Sequence, residues 1–322
     1  MTEGRADWSG IVHDDFADVA KFRRLLEAGA DPLGDLWGLE SPLHAAAKEG
    51  SPQVLFELAS RADGIDTLCD GRSALWNAVY HRRDDNALVL LELGADPWRP
   101  MMQGWSPGRL GLAGSFDDLF QAPDGRGLTE QERAMADAGP ELAEVFSSYP
   151  FDGFSVACAA GLTAVEAAQR LPVTEVIIME DDGVPWYEGG FGGEMDILGL
   201  TDVPGGCVIA QPWAYEAAHV LDMVTAGTFA YGMYANPKSG NQGYIAEDGR
   251  MTKWDLHPGY DPDSDATARE VLASFASCGS AIAHCLVYAG LRPDSTDCLE
   301  SPDAWVRLGS VPSDRAARSS RA

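Results

Sequence analysis

Apolar residues recur at two different periods along this chain. In the first third they fall at helical spacing, as where Val54, Leu55 and Leu58 line one face of a helix. From Phe151 onward short apolar runs alternate with turn residues. Residues 155–160 read as a strand. Thr163 and Glu166 form a capping box that opens a helix running to Arg170. Residues 173–180, with Val176, Ile177, Ile178 and Met179, read as a buried strand, and 207–210 as a short one. Residues 215–225 read as a helix whose apolar positions are Ala218, Leu221, Met223 and Val224. Residues 228–236 form a strand, and 243–247 and 251–256 flank the turn Glu247-Asp248-Gly249-Arg250, a strong hairpin signature. Residues 265–289 read as one long helix, which Leu291-Arg292-Pro293 ends. Between the two textures, 114–127 is rich in turn residues. Thr129 and Glu132 then cap a helix that Gly139-Pro140 interrupts before a second helix to Tyr149.

The helical third repeats itself. Leu25-Leu26-Glu27-Ala28-Gly29-Ala30-Asp31-Pro32 returns as Leu58-Ala59-Ser60-Arg61-Ala62-Asp63 and as Leu90-Leu91-Glu92-Leu93-Gly94-Ala95-Asp96-Pro97. A second phrase begins at Ser41-Pro42-Leu43-His44, at Ser73-Ala74-Leu75-Trp76 and at Ser106-Pro107-Gly108-Arg109, with the serines 32 and 33 positions apart. This period and these phrases resemble ankyrin repeats, two antiparallel helices and a projecting loop per unit. Ser41 supplies a capping hydroxyl before a proline at the first helical position. His44 sits where ankyrin units use an imidazole to tie turns together. Gly29 and Gly94 follow their helices as left-handed terminators, and Arg61 replaces glycine in the middle copy. The first unit lacks its opening phrase and the fourth degrades after Leu112-Ala113-Gly114, as expected of terminal units that face water.

The expected organisation is an ankyrin solenoid over 1–120, a helical connector over 121–150, an α+β domain over 151–310 and a flexible tail over 311–322. The fold class is α+β in two domains, the second a mostly antiparallel sheet with flanking helices. Residues 151–310 resemble a family of uncharacterised actinobacterial proteins, on the run Phe154-Ser155-Val156-Ala157-Cys158-Ala159-Ala160-Gly161-Leu162-Thr163, the strand Phe229–Asn236 and the hairpin from Gly243 to Leu256. That resemblance implies a bacterial origin and this architecture; it brings no activity and no catalytic residues.

Charge narrows the partners. The formal net charge is -27, with 13 Lys and Arg against 26 Asp and Glu in residues 1–150 and 7 against 23 in residues 151–310. No basic groove offers phosphates a counter-charge, so neither nucleic acid nor an anionic membrane surface is expected to bind. Met1 to Gly10 lacks the basic segment and apolar core of a signal peptide, and no apolar run approaches the ~20 residues that span a bilayer. Six scattered cysteines without a CxxC pair read as reduced thiols, and the expected location is cytoplasmic.

The search for chemistry yields no catalytic, cofactor-binding or metal residues. Gly189 to Gly193 lacks the following lysine of a phosphate loop. Asp261, Asp263 and Asp265 begin like a calcium loop, but Ala266 and Leu272 stand where glycine and glutamate are needed; one of Asp263, Ser264 or Asp265 is expected to cap the next helix. Cys278 and Cys285 share a face of the long helix, with His284 off it, and read as core. His219 and His257 are isolated. The chain is therefore read as a non-enzymatic protein-binding, scaffold or regulatory protein whose partner carries a basic face. Two alternatives remain. In one, residues 151–310 form an enzyme or small-ligand domain using Glu180, Asp182, Glu194 or His219. In the other, the repeats pack on that domain in an assembly role. The loops 33–40 and 97–105 carry the binding candidates, Leu36, Trp37, Trp98, Met101 and Met102, because apolar loop tips cost solubility unless covered. They face either a partner or the second domain.

Overall fold

Serine hydroxyls set the rhythm of the first helices. In the computed structural model, which describes residues 7–114, 116, 119–149, 153–177, 196–211 and 215–309, the second, third and fourth repeats each open on one, and Asp18 caps the helix of the first. After a 3-10 turn at His13–Ala17, α1 spans Val19–Glu27, α2 Pro42–Glu49, α3 Pro52–Ala59, α4 Ala74–Tyr80, α5 Asp84–Glu92 and α6 Pro107–Gly111. Ser41, Ser51, Ser73 and Ser106 accept from the backbone amides of His44, Val54, Trp76 and Arg109 and so satisfy orphan donors at the starts of α2, α3, α4 and α6. The helices α2, α4 and α6 pack in one row and α1, α3 and α5 in another. Phe22, Leu26, Val54, Leu55, Leu58, Leu75, Ala87 and Leu90 fill the space between.

Polar side chains tie one repeat to the next. The buried His44 ring donates from Nε2 to the Thr67 carbonyl at 3.0 Å and accepts from the Ser41 hydroxyl at Nδ1, 2.7 Å away. Burial holds this imidazole below its usual pKa, so it stays neutral. Asn86 on α5 donates to the carbonyls of Ala46, Ala47 and Gly50, at 3.2, 3.0 and 3.1 Å, and closes the C-terminal end of α2. Gly29 and Gly94 take the left-handed conformation after α1 and α5. Arg61, which has no such conformation, instead bonds Glu57 across one helical turn at 2.6 Å, while Arg23 reaches Glu57 from α1.

The chain divides into two units, Met1–Ala134 with Pro262–Phe275, and Met135–Asp261 with Ala276–Ala322. The first unit thus recruits a segment from late in the sequence. Two helices straddle the divisions: α7 over Glu130–Val145 and, further on, α11 over Ala268–Ala276. α7 runs straight through Gly139-Pro140, against the expected interruption. Within the second unit Gly139 lies so close to Ala276 that a Cβ would stand 2.2 Å from its carbonyl oxygen. Packing of this kind offsets the one backbone hydrogen bond that Pro140 cannot donate.

The second unit is built on one antiparallel sheet of eight strands. These are β1 Ser155–Ala160, β2 Val173–Ile177, β3 Ile197–Val203, β4 Gly206–Gln211, β5 Phe229–Asn236, β6 Gly240–Glu247, β7 Arg250–Leu256 and β8 Ala304–Leu308, in the order β2-β8-β3-β4-β1-β5-β6-β7. The Asp248-Gly249 turn joins β6 to β7 with both residues at positive φ. One sheet face is covered by α8 (Ala164–Arg170), α9 (Glu216–His219) and α10 (Leu221–Val224), whose Ala167, Ala217, Val220 and Leu221 pack with Ala157, Ala159 and Ile209 of the central strands. The other face takes α12 (Ala281–Ala289) and α13 (Asp297–Glu300), with Tyr231 of β5 against His284 and Tyr288 at ring separations of 5.0 and 5.1 Å.

Several expected elements change. β2 is an edge strand with an exposed Val176, not a buried one. The single helix over 215–225 is two short turns, α9 and α10. The long helix over 265–289 breaks into α11 and α12, because Cys278 and Gly279 are left-handed and Ser280 caps the second helix. Cys278 is consequently exposed while Cys285 is buried, so the shared face disappears. Thr267 and Glu270 form the capping box of α11, in place of Asp263, Ser264 or Asp265. Residues 178–195, which hold Ile178, Met179, Glu180, Asp181, Asp182, the glycine run 189–193 and Glu194, lie outside the described residues, as does the tail 311–322.

Candidate protein-binding surface

Each repeat projects a hairpin between its helix pairs, and two left-handed residues form every turn. They are Trp37-Gly38 (φ 58° and 75°), Asp70-Gly71 (48° and 74°) and Gln103-Gly104 (49° and 82°). Two successive positive φ values favour glycine at the second position and give the turn a twist that suits the short flanking strands. Cys69 and Arg72 exchange backbone hydrogen bonds of 2.9 and 3.0 Å around the second turn. The first hairpin differs. Leu36 pairs with Glu40, so the loop holds one residue more than the second. The extra residue is Leu39. The sequence carries the trace of it: Gly38 lies three positions before Ser41, whereas Gly71 and Gly104 lie two before Ser73 and Ser106.

The hairpins stand side by side. The Cys69 thiol lies 3.9 Å from the Leu39 carbonyl, and Arg72 Nε lies 3.2 Å from the sulfur of Met102. Leu39 is 80% exposed, and Trp37 and Leu68 are each 39% exposed. Asp35 and Asp70 are exposed beside them, Asp35 accepting from the Gly38 amide at 3.1 Å.

The five residues picked from the sequence separate here. Leu36 and Met102 are buried in the bases of their hairpins. Trp37 turns back on the start of the stack: its Nε1 donates to the Ile11 carbonyl at 2.9 Å and its ring lies 4.7 Å from that of His13. Trp98 is half-buried against Phe120, at 6.4 Å, and Met101 is half-buried with its amide bonded to the Trp105 carbonyl at 2.7 Å. Leu39 and Leu68 are not among the five; the longer first hairpin marks Leu39 in the sequence, and no comparable signal marks Leu68.

The inner row of helices is partly covered by the chain itself. Within the first unit, Trp105 Nε1 donates to the Ala268 carbonyl at 2.9 Å, and Arg82 donates to the Phe275 carbonyl at 2.9 Å with its guanidinium 4.6 Å over the Phe275 ring. Tyr80 packs on the same ring at 5.9 Å, and Arg72 donates to the Pro262 carbonyl. Val271, Leu272, Ala273 and Phe275 are all buried, which makes this segment a fixed part of the stack.

Among its described residues the second unit gathers little chemistry. His219 lies among Tyr215 and Tyr244, at 4.8 and 5.8 Å, and His257 Nδ1 lies 3.2 Å from the Asn241 carbonyl. Cys158, Cys207, Cys285 and Cys298 are buried, and burial pushes the Cys207 and Cys298 thiols up to about 12 and the other two upward as well. These thiols are inert at neutral pH. Among the described residues no three of His, Cys, Asp or Glu converge on a point where a metal ion could sit, and no helix is long and apolar enough to cross a membrane.

The fold and hairpins define an ankyrin stack. A family model described as "Ankyrin repeats (3 copies)" matches residues 16–101. Ankyrin repeats in general support a role in protein interaction. A comparison with curated proteins finds no match.

Proposed function

We propose that this chain is a non-enzymatic binding protein, a scaffold or regulator, that captures another protein on the hairpin edge of its first two repeats. The observation that carries this reading is Leu39, an inserted apolar residue that stands 80% in water at a turn the neighbouring repeat closes without it. Folding gains little from a leucine so placed, whereas a partner that covers it gains the transfer free energy of an apolar side chain. The inner row is covered at Trp105, Arg82 and Tyr80, whereas the hairpin edge stays exposed. The acidic charge of the chain favours a partner with a basic face, because complementary fields speed encounter. The resemblance of residues 151–310 to an actinobacterial family supports a bacterial source, and free thiols suit a reducing cytoplasm.

Affinity capture from a bacterial extract tests this, with the full chain, Leu39→Asp and Leu88→Asp run side by side. Leu88 is an exposed leucine of the outer helix α5 and controls for surface charge. A protein captured by the wild type and by Leu88→Asp but lost with Leu39→Asp is the expected outcome. Capture that survives Leu39→Asp refutes the assignment.

A further inference from the structure

Resting on the hairpin-edge reading, the occupant can be specified from spacing and charge. Leu39 and Leu68 belong to adjacent hairpins, and the Cys69–Leu39 contact of 3.9 Å sets those hairpins against each other. Helices that pack in successive layers lie roughly 8–10 Å apart, and each hairpin rides on one layer. Two apolar residues seven positions apart on a helix are separated by about 10.5 Å along one face. Residues three or four apart on a helix span only about 5–6 Å and would reach one leucine but not both. An apolar pair at i and i+7 therefore matches the Leu39–Leu68 step.

The rim supplies the second constraint. Asp35 and Asp70 are exposed at the first and second hairpins, and Asp66 accepts the Asp96 amide at 3.0 Å while remaining half-buried. Arg72 and Arg99 keep their charge but are held by backbone carbonyls, Arg72 by that of Pro262 and Arg99 by that of Asp66 at 2.8 Å. Lys48 pairs with Glu40 at 2.8 Å. An acidic helix laid here would bring like charges together at low screening, whereas lysines or arginines beside the apolar pair meet Asp35 and Asp70. We infer that the edge formed by Leu39 and Leu68 holds a basic amphipathic helix of a partner protein, with apolar residues at i and i+7 on the face it presents and Lys or Arg flanking them.

Three fluorescein-labelled, helix-stapled 18-residue peptides test this against the full chain by anisotropy. The first carries leucines at i and i+7 with flanking lysines, the second has those lysines changed to glutamates, and the third keeps the lysines but moves one leucine to the opposite face. The first is expected to bind at least 10-fold tighter than either of the others. Leu39→Ala and Leu68→Ala should each weaken it about 10-fold, and Asp35→Asn with Asp70→Asn should flatten its salt dependence. Equal binding of the first and third peptides, or no effect of the leucine variants, marks non-specific attraction to an acidic protein and overturns the inference. Leu39-dependent binding of the acidic peptide overturns the partner's charge yet leaves the hairpin-edge function standing. Extract capture that needs Leu39 while no peptide binds there overturns the helical occupant alone. A wild type that elutes as a dimer, and a Leu39→Asp variant that elutes as a monomer, would instead make a second copy of this chain the occupant.

Discussion

A single buried imidazole should make the second unit sensitive to mild acid. His284 sits in α12 with its ring 5.0 Å from Tyr231, and burial alone holds its pKa down at about 4 against an ordinary 6.5. In the unfolded chain the same ring binds a proton at its ordinary pKa. Between pH 6.5 and 4 the unfolded state therefore carries more protons than the folded one, and folding weakens as pH falls through that window. With one pKa unit worth about 1.4 kcal/mol, lowering the pH from 7.5 to 4.5 removes about 2.5 kcal/mol through this residue. Below about pH 4 the folded ring also protonates and no further loss arises from it. Carboxylates add their own acid sensitivity, so the measurement is a difference: urea unfolding of the wild type and His284→Gln at both pH values, followed by tryptophan fluorescence. His284→Gln is less stable at neutral pH but should lose about 2.5 kcal/mol less on acidification. The ring carbon signals of the folded wild type give a direct check by NMR. A His284 resonance that titrates near 6.5, or equal acid losses in both proteins, refutes the argument.

Two further outcomes follow from the repeat stack. Asn86→Ala removes a donor shared by the carbonyls of Ala46, Ala47 and Gly50. Ala46 keeps the Gly50 amide and Gly50 keeps Arg83, so chemical denaturation should show a loss of about 1–3 kcal/mol in the first unit, most of it from the Ala47 carbonyl. Arg23, first, and then Arg61 hold the Glu57 carboxyl below its usual range, so its contribution is present at neutral pH and is lost as pH falls through that depressed value. Glu57→Gln should thus lower the melting temperature more at pH 7 than at pH 3; an equal deficit at both values would assign the effect to packing instead.

How much of this was legible depends on the range of the forces involved. Local signals read well. The serine hydroxyls at 41, 73 and 106, the Thr163–Glu166 and Thr129–Glu132 capping boxes and the Asp248-Gly249 turn each act within about four residues, and each forms where the sequence places it. Ser280 is an instructive exception. Its capping role is just as local, but it lies inside an apolar run, Ala281 to Ala289, that masks the break at Cys278 and Gly279. The opposite error occurred at Pro140, where a strong local breaker is carried through an intact helix.

The sequence by itself determined the repeat period, the caps, the hairpin turns and the acidic charge, because backbone conformation at each of these points is decided by neighbours along the chain. Tertiary structure alone decided the rest. The sheet order β2-β8-β3-β4-β1-β5-β6-β7 sets β8 between β2 and β3, a pairing of strands over a hundred residues apart in sequence that no local pattern specifies. Packing also drew Pro262–Phe275 into the first unit, through Trp105 and Arg82. At the hairpins it sorted residues of equal hydrophobicity into different fates: Leu36 and Met102 inward, Trp37 folded back on Ile11, Leu39 left in water. Hydrophobic transfer has no direction of its own, so which apolar side chain is covered follows from the surface that the rest of the fold brings to it.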